Sequence, residues 1–152
     1  MKKLKAGFTL VELLIVVAML AVVITGMIKL FIYTSVLAEI SGNKTVAVGE
    51  AQDMLEAIRE HNYDDIAVDY ASGGTPGNIF ALDELNGKGV IYIDNSNPEL
   101  LILKVVVSWR NKYGRIIGED ANLNGDLDAG EDLDGDTDLS SPATLITMLT
   151  RR

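Results

Sequence analysis

The residues with the strongest chemical signal form an acidic segment near the C-terminus. Between Glu119 and Asp138 the chain has nine acidic residues and no basic one. Carboxylate and amide side chains recur there at every second position, a spacing that suits a hard divalent cation such as Ca²⁺. Zn²⁺ is not expected, because the chain has no cysteine and its single histidine lies elsewhere. We therefore expect a Ca²⁺ site built from six residues: Asp120, Asn122, Asn124, Asp126, Asp128 and Glu131.

The spacing of these six residues fits the twelve-position calcium loop of EF-hands. Asp120 takes the first position, Gly125 allows the sharp turn, and Glu131 closes the shell with two oxygens. Asp126 contributes its main-chain carbonyl, and Asp128 acts at the ninth position through water. A predicted strand precedes the loop and turn residues follow it, so a helix pair is not expected. We interpret the segment as a calcium loop in a β context; the alternative is an unliganded acidic loop that repels itself and is disordered.

A second run of alternating aspartates follows the first loop but has no glutamate at the closing position. This run either shares ligands with the first loop or binds a second ion weakly, and both alternatives stay open. Its members are Asp132, Asp134, Asp136 and Asp138.

A single acid interrupts the apolar N-terminal segment. From Phe8 to Ile28 the only charged residue is Glu12, and three lysines precede the segment. These 21 residues make a helix about 30 Å long, enough for one bilayer crossing. A carboxylate inside such a helix costs roughly 2–3 kcal/mol or more, and residues of this kind are functional by default. Glu12 is therefore a candidate functional residue.

The residues from Lys5 to Leu14, Lys-Ala-Gly-Phe-Thr-Leu-Val-Glu-Leu-Leu, resemble the processing site of type IV pilins and of type II secretion pseudopilins. The resemblance implies that a prepilin peptidase cuts after Gly7 on the cytoplasmic side and that the new N-terminus, Phe8, is methylated. It also implies that Glu12, at the fifth mature position, sets register during filament assembly. An ordinary uncleaved signal anchor is the alternative, which explains the lysines and the apolar run but not the order of the motif.

The chemistry of Glu12 agrees with the implied role. Cleavage exposes an ammonium group on Phe8, and methylation keeps its charge. A carboxylate in hydrocarbon is stabilised by such a cation, from its own chain or from a neighbouring subunit displaced along the filament. Pairing between subunits would offset the cost of burying the Glu12 carboxylate only where the subunits dock so that the two charges meet.

Composition limits the partners and the location of the chain. The 152 residues include 13 lysines and arginines against 22 acidic residues, and removal of the leader leaves a still more acidic protein. Such a surface repels nucleic acid, which argues against a nucleic-acid partner. The N-terminal lysines predict a cytoplasmic N-terminus by the positive-inside rule, with the C-terminal part outside the cytoplasm. Without cysteine, no disulfide can hold the C-terminal region.

The hydrophobic pattern predicts a long helix followed by a small sheet. We expect a leader at 1–7, a transmembrane half-helix at 8–29, an extramembrane half-helix at 30–62 and a globular β-sheet domain at 63–152, with the acidic loop at 119–138. Gly42-Asn43 is the expected weak point of the helix. Strands are predicted at 90–93, 100–110, 115–117 and 143–150, and the alternation in the second places Trp109 on the core side of a half-buried strand. The fold class is α+β, and it is the pilin-like fold that the resemblance implies.

The helical stretch from Ala51 to Arg59 and the following Tyr63–Ile66 resemble PilV-type minor pilins and I-type minor pseudopilins, although any amphipathic helix on a sheet shares this pattern. The resemblance implies a structural subunit in the bacterial inner membrane and then in a filament. Its partners would be other pilin subunits, the prepilin peptidase and an inner-membrane assembly platform. The second hypothesis is a membrane-anchored calcium-binding adaptor that does not polymerise. No nucleophile or phosphate-binding motif is present, and His61 reads as a surface contact, so we predict no enzyme.

Overall fold

The computed structural model describes residues 9–151, and the chain divides into an N-terminal unit, residues 1–39, and a C-terminal unit, residues 40–152. The first helix contributes to both units, and each unit is described by itself. The elements in chain order are α1 (Leu10–Arg59), α2 (Tyr63–Asp69), β1 (Ile79–Ala81), β2 (Gly87–Asn97), β3 (Leu100–Arg110), β4 (Ile116–Ile117) and β5 (Ala143–Thr150).

In the N-terminal unit, α1 exposes apolar side chains on every face. Residues Leu10 to Tyr33 are all exposed, and α1 is long and apolar enough to cross a membrane by length and composition. The hydroxyl of Thr25 donates to the Ala21 carbonyl at 2.8 Å, so this polar group is satisfied within the helix. An all-round apolar helix of this kind is suited to lipid or to a bundle of similar helices.

In the C-terminal unit, α1 becomes amphipathic and runs without a break through Gly42 and Asn43. The predicted weak point therefore does not interrupt the helix. Four buried residues that recur at helical spacing pack against the sheet, and tertiary packing of this kind outweighs poor local propensity. These residues are Ala47, Ala51, Leu55 and Ile58.

After α1 ends at Arg59, a short second helix follows that the sequence pattern did not predict. Asn62 is its N-cap, and the Asn62 side chain accepts a hydrogen bond from the Asp64 amide. Ile66, with 1% of its surface exposed, fixes α2 to the core. The tertiary contact of Ile66 and the cap at Asn62 together account for this seven-residue helix.

The sheet is antiparallel throughout and centred on β3. One edge of β3 pairs with β2, which in turn pairs with β1. Along the other edge, β3 pairs with β5 over residues 100–107 and with β4 at Trp109 and Arg110. β3 and β5 have the predicted bounds, and β2 extends the predicted strand on both sides. β1 was not predicted, since three residues are too short to show a period. A long helix followed by a small antiparallel sheet confirms the α+β, pilin-like class.

The main core lies between the helices and one face of the sheet. The alternate residues of β3 from Leu101 to Trp109 all belong to it, as the sequence predicted, and Trp109 is fully buried. Ile66 of α2 and Tyr70, the C-cap residue of that helix, close the same core. The helix-facing side of β3 therefore carries the main hydrophobic stabilisation of the C-terminal unit.

The interpretation of β3 as half-buried is wrong over its middle. On the opposite face Val106 and Ser108 are also buried, at 1% and 2% exposure. Val106 forms a second small cluster with Val90 and Leu139, and Leu127 packs against it. The acidic segment returns across this face of the sheet and covers it, which alternation along β3 alone does not reveal.

Candidate functional site

The N-terminal motif is described from Thr9 onward; Gly7 and Phe8, the predicted processing and methylation residues, lie outside the described residues. Thr9 is the residue before α1, and its Oγ1 accepts a hydrogen bond from the Glu12 amide at 3.2 Å. The Thr9 carbonyl accepts the first helical bond, from the Leu13 amide at 3.1 Å. Thr9 therefore acts as the N-cap of α1, with Glu12 at the third helical position of a Thr-x-x-Glu pattern.

The capping geometry fixes where Glu12 lies. Its carboxylate belongs to the first turn of α1, where the positive end of the helix dipole favours an acid. The backbone N–H groups of a first turn have no helical partner, and in apolar surroundings each unsatisfied group costs several kcal/mol. Thr9 satisfies one of these groups, and so it orders the turn that carries the acid.

The first acidic turn has two buried carboxylates at its ends. Asp120 is 1% exposed and Glu131 is 8% exposed. The Asp120 oxygens accept the amides of Asn124, at 3.1 Å, and of Gly125, at 2.9 Å. The Glu131 oxygens accept the amides of Ala121, at 2.9 Å, and of Asp128, at 3.0 Å.

Between these ends, the loop brings three more predicted ligands together. The side-chain amides of Asn122 and Asn124 both donate to Asp128 Oδ2, at 2.7 and 3.0 Å. The Asn124 Oδ1 accepts the amide of Asp126, whose own side chain is exposed. Five predicted residues are thus linked through one connected set of hydrogen bonds, and Asp126 contributes through its backbone.

Gly125 is required at the centre of this turn. Its φ of +88° lies in the left-handed region that glycine adopts readily. A Cβ at this position would also come within 2.7 Å of the Ile79 Cγ2. The turn therefore packs closely against β1, which explains both the glycine and the buried position of Asp120.

Among residues 9–151, no lysine, arginine or histidine forms an ion pair with Asp120 or Glu131. A buried carboxylate is normally paired, hydrogen-bonded or bound to a metal. Here backbone amides satisfy part of each group, and the remaining lone pairs are hard oxygen donors of the kind that Ca²⁺ takes in sevenfold or similar coordination. The donor set of the first turn fits that ion.

The second aspartate run forms its own turn. One carboxylate oxygen from each of Asp132, Asp134 and Asp136 lies within 4.8 Å of the others. Asp132 accepts the amides of Gly135, at 2.6 Å, and of Thr137, at 3.3 Å. Asp138, the fourth predicted member, instead contacts Lys104 at 3.1 Å.

Two residues of this region were missed by the sequence interpretation. Glu119 accepts the amides of Leu133 and Ser140 with its two oxygens, at 3.0 and 2.8 Å, and so fastens the second turn to the end of the loop. Lys104 of β3 reaches Asp136 and Asp138 at 3.3 and 3.1 Å. The sequence placed Lys104 on the face of β3 opposite the core, and a lysine in such a position is normally solvated. It therefore gave no indication of the contact with these aspartates.

The ion pair between Lys104 and Asp136 shifts the pKa of both groups. Burial acts to lower the pKa of Lys104, but the hydrogen bonds and charges of Asp138 and Asp136 outweigh it, and the pKa is raised. The amide of Asp138, and then Lys104, lower the pKa of Asp136. Burial raises the pKa of the Tyr92 phenol, which accepts the Leu139 amide at 2.8 Å. Lys104 and Tyr92 thus hold the end of the acidic loop against the sheet.

Removal of this lysine should have a pH-dependent effect. In EDTA at pH 7, we expect Lys104→Met to lower the melting midpoint by about 3 °C. The folded pKa of Asp136 is lowered, so its stabilisation is present above about pH 4 and disappears as the pH falls through the folded value. The raised pKa of Lys104 keeps its part up to about pH 10, and it disappears as the pH rises through the raised value. Melts of both proteins from pH 3 to pH 7 test this, and a constant difference between them would contradict it.

His61 lies at a helix end, where its Nε2 is 2.9 Å from Asp69 Oδ2 and its ring makes an edge contact with Tyr70. A neighbouring cleft of about 600 Å³ is lined by Arg59, Tyr63 and the C-terminal part of β5, among others. No serine, threonine or lysine nucleophile is bonded to His61 among the described residues. The geometry is that of a surface contact, as the sequence suggested.

Comparison with known proteins gives one match. The family model described as the prokaryotic N-terminal methylation motif matches residues 2–28. No curated protein and no solved structure matches the chain. The matched residues include Gly7, Phe8 and Glu12, and from Leu10 onward they belong to α1. The match covers the N-terminal motif alone, and it supports the resemblance to type IV pilins and pseudopilins on which the sequence prediction rests.

Proposed function

We propose that this chain is a minor structural subunit of a type IV pilus or type II secretion pseudopilus. The observation that carries the proposal is the methylation motif at residues 2–28. In this proposal prepilin peptidase cuts after Gly7 and Phe8 is methylated. The mature chain then begins at Phe8, one residue before the N-cap Thr9. Before assembly the subunit lies in the inner membrane, with a cytoplasmic N-terminus and an extracytoplasmic C-terminal unit. There it contacts an assembly platform.

Assembly then depends on α1 leaving lipid for a bundle of similar helices. The Thr9 cap holds Glu12 in the first turn, so the carboxylate has a defined position along the helix axis. A subunit displaced along the filament offers its Phe8 ammonium at the matching height. This pairing selects one register among many, because any other leaves the acid unpaired in apolar surroundings.

The acidic loop has a supporting role in this proposal. Ca²⁺ held by Asp120, Asn122, Asn124, Asp126, Asp128 and Glu131 would supply the positive charge that the loop lacks. These residues, with Glu119 and Lys104, close the loop over the second face of β3. In a chain with no cysteine, that closure takes the place of a covalent link. The role is structural, and we assign no catalytic residue.

Co-expression of the full chain with a prepilin peptidase tests the proposal. We expect intact-mass measurement to show loss of residues 1–7 and methylation of the new N-terminus, and we expect Gly7→Val to block both. The matched control is Gly26→Val, which lies in the same apolar helix with open space around it. Retention of residues 1–7 in the wild-type protein would contradict the proposal and favour the non-polymerising calcium-binding adaptor.

A further inference from the structure

The turn between β3 and β4 is a basic projection on an acidic protein. We name residues 110–115 the basic tip. Arg110, Lys112 and Arg115 are all exposed, and no acidic residue occurs from 110 to 118. The chain as a whole has a net charge of −9. Among the described residues, no carboxylate lies within ion-pair distance of Arg110 or Arg115.

The basic tip is held rigid from below by one buried side chain. Asn111 is 5% exposed, and its Oδ1 accepts the amides of Tyr113 and Arg115 at 3.0 and 2.9 Å. Its backbone amide donates to the Arg115 carbonyl, and its carbonyl accepts the Gly114 amide. A surface that is already ordered loses little conformational entropy when it binds.

The composition of the tip is that of an interface. Tyr113 is 57% exposed, and Lys112 Nζ lies 5.0 Å from the centre of its ring. Arginine and tyrosine are the residue types enriched where protein contacts are strongest. Two arginines and an exposed tyrosine on a rigid turn therefore present a ready contact for an acidic partner.

The opposite end of the C-terminal unit is acidic. There α2 meets the β2–β3 turn, where the Tyr63 hydroxyl donates to the Pro98 carbonyl at 3.2 Å. Of the two described basic residues at this end, Arg151 pairs with Asp64, and Arg59 donates to Thr147. Four exposed acids remain outside any ion pair among the described residues, and we name them the acidic end: Glu60, Asp65, Asp94 and Glu99.

The two surfaces cannot meet within one molecule. The basic tip begins at Arg110, the last residue of β3, and the acidic end adjoins Leu100, the first, so the length of β3 separates them. Eleven residues of strand span about 35 Å, several times the screening length of roughly 8 Å at physiological salt. Closer to the tip, Asp83 and Glu84 donate their amides to Glu50, and neither forms an ion pair with the tip in the part described.

We propose that the basic tip of one copy of this chain docks on the acidic end of a second copy, as a head-to-tail contact wherever two copies are neighbours in the filament. The inference rests on the proposed filament function and specifies which surfaces of the C-terminal units meet. The uncleaved chain has a net charge of −9, and removal of the three leader lysines makes it more negative, so two copies repel one another in most orientations. Placing the basic tip against the acidic end favours a single orientation, which gives specificity to the contact. Because the two surfaces differ, the contact is heterologous and can propagate.

Engineered cysteines test the contact directly, because the chain has none of its own. Tyr113→Cys at the tip and Asn95→Cys beside Asp94 are introduced together in the full chain, co-expressed with a prepilin peptidase and the assembly machinery. After oxidation, we expect a ladder of disulfide-linked dimers and longer species. Each single variant should give at most a dimer. The matched control combines Asn95→Cys with Leu133→Cys, an exposed position outside both surfaces, and should give at least fivefold less product.

Charge reversal then identifies the cause. Arg110→Glu with Arg115→Glu should reduce the cross-linked ladder at least fivefold, and adding Asp94→Arg with Glu99→Arg should restore it. Recovery by the second pair shows that the first variant still folds. Yields equal to the Leu133 control, or unaffected by reversal, would overturn the proposal, as would cross-links only to other pilin subunits. Removal of residues 1–7 is measured in every sample, so failure of processing, which contradicts the proposed function, is distinguished from failure of this contact.

Discussion

Calcium is expected to raise the melting midpoint of the full chain in detergent by about 10 °C or more relative to EDTA. Binding at 100 times the dissociation constant adds about 2.7 kcal/mol to stability. A domain of this size shifts by several degrees for each kcal/mol. Trp109 is the single tryptophan and is fully buried in the C-terminal unit. Its fluorescence therefore reports melting of this unit without a contribution from the apolar helix.

Asp120→Asn should abolish this calcium-dependent shift. It should also lower the midpoint in EDTA, because the new amide group must face one of the two backbone N–H donors that Asp120 accepts. Asp134→Asn is the matched control in the second turn and should preserve most of the shift. Equal midpoints in Ca²⁺ and EDTA for the wild-type protein would remove the calcium proposal and leave the loop held by Glu119 and Lys104 alone.

Glu12→Gln is expected to be inserted and processed normally but to enter filaments at least tenfold less well. Glutamine has nearly the same shape and keeps one acceptor oxygen, while an NH2 donor replaces the other, so the variant removes the negative charge with little change in volume. A tenfold loss corresponds to about 1.4 kcal/mol, less than the roughly 2–3 kcal/mol that a buried carboxylate must recover by pairing. The measurement is the fraction of processed protein that co-purifies with sheared filaments.

Two variants of the cap separate the charge of Glu12 from its position. Thr9→Val removes the acceptor of the Glu12 amide while keeping a β-branched side chain, whereas Thr9→Ser retains the hydroxyl. We expect the valine variant to reduce incorporation and the serine variant to behave as wild type. If Glu12→Gln protein entered filaments at the wild-type level, pairing between subunits would not set the register.

The elements that were predicted well from the sequence are those in which apolar residues recur at a regular spacing. Alternation of apolar residues extends through all of β3 and much of β5, and both strands have the predicted bounds. The N-terminal motif is equally local, since its residues are adjacent in the chain. The EF-hand spacing stays a prediction. Hydrogen bonds from Asn122 and Asn124 to Asp128 connect the first acidic turn, but among the described residues the three carboxylates that lie within 4.8 Å of one another belong to the second run.

What escaped prediction depends on contacts between distant segments. β1 exists because Ile79 pairs with Val90 and packs beneath Gly125. The buried second face of β3 requires Leu139 to return to Val106, thirty-three positions earlier in the chain. Lys104 appeared to be an ordinary surface residue until that return placed two aspartates beside it. Neither propensity nor periodicity carries such information.

The Glu119 amide donates a hydrogen bond to the Ser140 carbonyl at 2.9 Å. The acidic segment is therefore a loop whose two ends are joined by a backbone hydrogen bond. The strands on either side are consequently fixed independently of the length of chain between them. Lengthening a closed loop costs only about 0.6 kcal/mol per doubling. Ala129 and Gly130 are exposed at its far side, and a side chain on Gly130 would meet open space. Because that bend lies between Asp128 and Glu131, a peptide inserted there should leave the sheet intact but separate two predicted calcium ligands, so it would test the contribution of the calcium site independently of the fold of the sheet.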